Sequence, residues 1–172
     1  MTNNFDKALP YLESLSVLEL LRVHRWTLHK LYDLGVVRTL NAPQGDWAET
    51  LVAEAYSGEL VKRSGKGRDV LVDEMSIQVK SRVLRKKGSN KSSSIRSWDF
   101  EKLVAVIFDT RDLGVKEARE FDRDWVENRA NYQGYVNAES LSLNATLMRS
   151  GEDVTERLEE AAVALDSRLS NS

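Results

Sequence analysis

The run Gly67-Arg68-Asp69-Val70-Leu71-Val72-Asp73-Glu74-Met75-Ser76-Ile77-Gln78-Val79-Lys80 decides how this chain is read. Aliphatic and β-branched residues stand on either side of a turn-forming Asp73 to Ser76. The stretch therefore predicts a hairpin with one strand over about Asp69 to Asp73 and the next over about Ser76 to Leu84. Side chains alternate along a strand, so Gln78 and Lys80, one residue apart, share a face. A tight turn then brings Asp69 opposite that pair.

Working outward, Asp46 is placed to open a helix from Trp47 to about Tyr56, with Leu51, Val52 and Ala55 as its buried side and Ser57-Gly58 as its stop. Glu49 lies one turn into that helix. Further strands are expected at about Glu59 to Lys62, at Leu103 to Asp109 and, as an edge, at Leu113 to Phe121. Asp122 is expected to cap a helix through Trp125, Val126 and Arg129. A last amphipathic helix starts near Asp153 and buries Val154, Leu158, Ala161, Ala162 and Leu165. Residues 133–149 carry no clear period. Lys86 to Arg96, with its glycine and serines, reads as a mobile loop.

The first third is helical. Ser16 and Glu19 have capping-box spacing, Gly35 is a stop, and Val17, Leu18, Leu21, Leu28, Leu31 and Tyr32 form a stripe of the kind that usually enters a core. A shorter helix over about Asp6 to Leu15 precedes it. The expected class is α/β: one mixed sheet covered by helices, with a helical extension over 1–40, a core over 41–150 and a terminal helix over 151–172. The terminal helical segments are open to packing on the core or on a second subunit, which makes a homodimer one candidate assembly.

Composition narrows the function. There is no cysteine, so thiol catalysis, disulfides and thiolate metal sites are excluded. His24 and His29 are five apart and do not share a helix face as metal-binding pairs do. No long apolar run is present, which argues against a membrane span or a secretory leader and for a cytoplasmic protein. The net charge is only −2, yet Val61 to Arg96 holds eleven basic residues against three acidic ones, a local excess of eight that leaves −10 on the rest. Lys62, Arg63, Lys66, Arg68, Arg82, Arg85, Lys86, Lys87, Lys91 and Arg96 flank Lys80 in this band. Such a band suits a polyanion, DNA above all, as well as it suits a solvated loop.

Phosphodiester hydrolysis needs hard oxygen ligands for a divalent cation, a positive charge beside phosphorus and a way to activate water. Asp69, Gln78, Lys80 and, if its helix packs on the hairpin, Glu49 offer these. The segments Gly45-Asp46-Trp47-Ala48-Glu49, Gly67-Arg68-Asp69 and Ile77-Gln78-Val79-Lys80-Ser81 resemble the PD-(D/E)xK nuclease superfamily. In style the likeness extends through Val37-Arg38-Thr39 and Leu103 to Val106 to a bacterial branch of nuclease-like domains. The resemblance implies a restriction-endonuclease-like fold and a Mg²⁺- or Mn²⁺-dependent endonuclease, with a place in restriction or defence. It also implies metal ligation by Glu49, Asp69, Gln78 and the Val79 carbonyl, with Lys80 as the catalytic cation. Gln78 stands where the superfamily usually has a carboxylate, which costs the site one negative charge. An inactive nucleic-acid-binding or assembly module is the alternative. Each residue also has a plainer use: Glu49 as the third-position partner of an Asp46 capping box, Asp69 as a turn residue, Lys80 as an exposed strand lysine.

Overall fold

In a computed structural model, the structure describes residues 4–61, 67–83, 94–134 and 137–169. The chain divides into two units, 1–43 and 44–172.

The smaller unit holds α1 (Asn4–Glu13) and α2 (Val17–Asp33). The capping box forms as expected: Glu19 N donates to Ser16 Oγ, and Ser16 N donates to Glu19 Oε2 at 2.8 Å. At the other end Gly35 takes φ +72°, and the Val36 N–H reaches back to Leu31 O. A left-handed residue just past the last turn stops a helix in this way, and glycine carries no Cβ penalty there. The apolar stripe departs from expectation. Leu28 is the buried residue of α2, while Val17, Leu18, Leu21 and Tyr32 are exposed.

The larger unit is α/β. After α3 (Gln44–Ala55) come β1 (Glu59–Leu60), β2 (Val70–Val72), β3 (Met75–Val83), β4 (Lys102–Phe108) and β5 (Val115–Asp122). Then follow α4 (Arg123–Glu127), β6 (Asn131–Gln133), β7 (Ala138–Ser140), α5 (Ala145–Met148), β8 (Glu152–Asp153) and α6 (Thr155–Leu169). Six strands make one mixed sheet in the order β1-β2-β3-β4-β5-β8, in which β3 and β4 are parallel and the other neighbours antiparallel. The strand expected at an edge, β5, is therefore inside the sheet, covered by the two residues of β8. A separate ribbon pairs β6 with β7.

The sheet's two faces are filled by different elements. Ile77, Val79, Val104, Val106, Phe108 and Ala118 face α3 and α6, which contribute Leu51, Val52, Leu158 and Leu165. Leu103, Ala105, Ile107 and Phe121 face the other way, against Ile95, Phe100, Val126, Leu141 and Met148. At about 1.5–3 kcal/mol for each large side chain buried, these two layers hold the unit together. Among the described residues no helix is long and apolar enough to cross a membrane.

Candidate functional site

The site is built on the β2–β3 hairpin. A two-residue turn, Asp73-Glu74, closes it, with Asp73 at φ +51°. The register pairs Val72 with Met75 and Val70 with Ile77, so Asp69 comes opposite Gln78, as the alternation required. Here the strands part, because the Asp69 N–H donates to Ile77 O and the Val79 N–H finds the Asp69 side chain instead of a ladder carbonyl. Asp69 Oδ2 accepts from Val79 N at 2.8 Å and from Gln78 Nε2. An ionised carboxylate can only accept, so the Gln78 atom facing it is the amide nitrogen and Oε1 is its remaining acceptor. Within a strand a residue's N–H and C=O project to the same flank, so the Val79 carbonyl is directed to the Asp69 side as well.

Among the described residues the buried polar side chains are Ser76, Gln78, Lys80 and Ser140. Three of these four alternate along β3. A strand covered on both faces is ordinarily apolar on both. Here the face toward α3 is Ile77 and Val79, while the face beside Leu103 and Ala105 is Gln78 and Lys80. Gln78 is 6% exposed and Lys80 7%. Lys80 Nζ donates to Ser94 O at 3.1 Å. Burial pushes the Lys80 ammonium below the usual lysine range; Asp69 opposes the shift and Arg96 adds to it. Lys80 is thus no exposed strand lysine. It is a buried cation with one hydrogen-bonded carbonyl and a carboxylate within electrostatic reach.

Glu49 is placed differently. Helix α3 begins at Gln44, two residues before Asp46, so Asp46 sits inside the first turn and Glu49 is the sixth residue of the helix, beyond any capping box. The helix packs on β2 and β3 as required, but on the Ile77–Val79 face. Glu49 itself is half-buried, with its Oε2 enclosed. At this end of α3, Ser81 Oγ of β3 donates to Gln44 O at 3.2 Å.

The basic residues fall into two groups. Arg68 and Arg96 are exposed, and Arg82, on the Lys80 side of β3, is half-buried. Lys62, Arg63, Lys66, Arg85, Lys86, Lys87 and Lys91, with most of the expected loop at Lys86 to Arg96, lie outside the described residues.

The returning segment before β4 completes the surroundings. Ser94 supplies the carbonyl for Lys80, Ile95 pairs with Glu139 of β7, and a Cβ on Gly67 would fall 2.7 Å from Ser97 Cβ and Oγ. Ser76 N donates to Glu101 Oε2 at 2.6 Å and holds the head of β3 to that of β4. Sequence reasoning missed Ser94, because a main-chain acceptor has no side-chain signature, and it missed Ser76 and Glu101, whose pairing links positions 25 apart. Among the described residues no three His, Cys, Asp or Glu side chains gather as a metal-binding group. Where the two strands meet at Asp69, the side-chain oxygens brought together are the Asp69 carboxylate and the Gln78 amide oxygen.

Compared with protein-family models and with curated proteins, the chain matches none.

Proposed function

We propose that the chain is a metal-dependent nuclease of the PD-(D/E)xK type, with a restriction-endonuclease-like core, acting on DNA. The reading is carried by one observation: the polar, buried face of β3, where Gln78 joins Asp69 and Lys80 is 7% exposed. Burying a lysine is costly, and buried ionisable groups with shifted titration concentrate at sites of chemistry. The order of parts supports the same reading: a helix, a hairpin bearing acid and Gln-x-Lys, then a parallel neighbour.

The oxygen donors fit a hard divalent cation such as Mg²⁺ or Mn²⁺. Asp69, Gln78 Oε1 and the Val79 carbonyl would hold it, and a bound ion supplies Lewis-acid polarisation of the phosphodiester and acidifies water. The protein's own residues do the rest. Asp69 keeps Gln78 in place through Oδ2, Lys80 stabilises negative charge growing on the phosphoryl oxygens, and Arg96 and Arg68 draw the backbone in. A second reading, a catalytically silent nucleic-acid-binding or assembly module, is favoured by Gln78, which leaves the hairpin site one negative charge short.

Incubating the full chain with plasmid, single-stranded and modified DNA in Mg²⁺, Mn²⁺ and EDTA tests the proposal. Metal-dependent cutting that Lys80→Ala lowers a hundredfold or more, on the order expected for losing one preorganised charge, with binding retained, supports the nuclease. Binding without cutting on every substrate supports the module. A Glu49→Gln variant that still cuts removes Glu49 from the site.

A further inference from the structure

The hairpin fixes the backbone of Lys80 but not its ammonium. A lysine carries its charge on a flexible four-carbon stem, and a charge that acts on a reacting group has to be held within about half an ångström. What holds Nζ lies outside the hairpin, in the segment that returns to β4. Three contacts tie that segment to the hairpin. Lys80 Nζ donates to Ser94 O at 3.1 Å, and Ser76 Oγ donates to Asp99 O at 3.3 Å. Between them Ser97 stands against Gly67, two residues before Asp69, where there is no room for a Cβ. Ser94 meets Lys80 and Asp99 meets Ser76, so the segment follows β3 backwards along its polar side.

The segment is itself pinned at one place. Ile95, next to Ser94, exchanges both main-chain hydrogen bonds with Glu139 of β7, at 2.7 and 3.0 Å. Its side chain is 2% exposed and belongs to the apolar layer of Phe100, Leu103 and Leu141. Ser94 on one side of it is half-buried and Arg96 on the other is exposed, so it is Ile95 that the core grips. A carbonyl one peptide away from a buried, doubly bonded residue has little freedom and presents its oxygen to Nζ in a fixed direction. The acceptor is also neutral. A carboxylate in its place would cancel the lysine's charge, whereas a carbonyl orients the ammonium and leaves its charge for a ligand.

We infer that Ile95 is a positioning residue of the proposed site: bonded to β7 and sunk in the core, it sets the Ser94 carbonyl that aims the Lys80 ammonium. The inference rests on the proposed function for the reaction that Lys80 serves, and its test is read first on the lysine itself.

Reductive methylation of the full chain with formaldehyde and cyanoborohydride, read by mass spectrometry after digestion, measures how often Nζ comes free. In the wild type Lys80 is expected to react on the order of tenfold more slowly than the exposed Lys116. Ile95→Ala is expected to raise the Lys80 rate on the order of tenfold, with Ile95→Val at about threefold, because a smaller pin makes local opening easier. Leu165→Ala removes the same number of carbons from the apolar layer on the other face of the sheet and is expected to leave the rate within about twofold. Both alanine variants lower the melting temperature, so a merely structural role would free Lys80 equally in the two. Equal acceleration overturns the inference, and so does a wild-type Lys80 that reacts as fast as Lys116. In cleavage assays Ile95→Ala is expected to lower kcat on the order of tenfold with KM within about twofold, and Ile95→Val to recover most of the loss. An unchanged kcat in Ile95→Ala overturns the inference as well. A wild type that cuts no substrate removes the nuclease reading and leaves the methylation rates to decide this one. Should Ile95→Ala fail to fold, Ile95→Val takes its place, and a Lys80 rate equal to the wild type's overturns the inference.

Discussion

Asp69, Gln78 and Lys80 are three side chains whose states depend on one another, and the dependence can be measured. Gln78 gives its amide proton to Asp69. In Gln78→Glu two carboxylates meet without that donor, which is expected to cost about 1–3 kcal/mol at neutral pH in metal-free protein. The pair then holds a proton to higher pH than an unfolded glutamate near about 4.3. The loss is therefore absent at low pH and grows as pH rises through the raised value. With Mn²⁺ the order reverses, because the added charge draws the ion, and calorimetry is expected to show equal or tighter binding. Weaker binding would mean that Gln78 does not face the metal. Lys80 shifts in the other direction, its ammonium disfavoured by burial in the folded state. Its destabilising contribution is full below the depressed value and fades as pH climbs from there past the ordinary lysine value of about 10.4. Lys80→Met keeps the packing and removes the charge. Its stability at pH 7 is expected to equal the wild type's or exceed it by on the order of 1 kcal/mol, with the gap closing at alkaline pH in urea melts. A gap independent of pH would place the lysine's proton outside the balance.

At the scale of elements, hairpin geometry was legible because alternation is written directly into Val70 to Lys80, and the terminal helix because its period is 3.6. What the sequence withheld is relational. The spacing of Leu51 and Val52 says which side of α3 is buried, but nothing local says which face of the sheet it covers; the structure lays it against Ile77 and Val79. Asp122 does stand at the N-cap of α4, but its carboxylate, which makes no capping bond, pairs with Lys102 at 2.8 Å, a partner twenty residues upstream. The approach of the returning segment to Gly67 is of the same non-local kind and is open to test. Gly67 has φ +79° and no room for a Cβ beside Ser97. Gly67→Ala is expected to cost about 1–3 kcal/mol from left-handed strain and steric overlap together, and to loosen the Lys80–Ser94 bond by pushing the segment off the hairpin. Adding Ser97→Gly relieves the overlap and leaves the strain, so thermal melts of the pair are expected to recover part of the loss, not all. Full additivity would show that the two residues do not press on each other.

For the molecule as a whole, the charge distribution separates binding from chemistry. The excess of eight over Val61 to Arg96 is set against −10 elsewhere, so under the proposed function a polyanion is expected to favour the basic band of the sequence. Lys80 belongs to the band by sequence but not by exposure: at 7% exposed it is screened from bulk counterions, whereas Arg68 and Arg96 are open to them. Affinity for duplex DNA is therefore expected to depend on the exposed members. Each phosphate left without its basic partner lowers the slope of log affinity against log salt by about one unit. Arg96→Ala is expected to flatten the slope by about one, and alanines at Arg85, Lys86 and Lys87 by up to about three, uniformly across sequences. Lys80→Ala is expected to leave the slope unchanged while stopping cleavage, since a buried ammonium releases no counterion on binding. Arg96→Ala has a second consequence: with its neighbour's charge gone, Lys80 holds its proton more readily, and the alkaline limb of the cleavage profile is expected to move to higher pH. Fluorescence anisotropy across a salt series, run beside a pH–rate profile, reads both effects. A Lys80→Ala slope lowered by one would place Lys80 in the open band and take away the burial on which its proposed catalytic role rests.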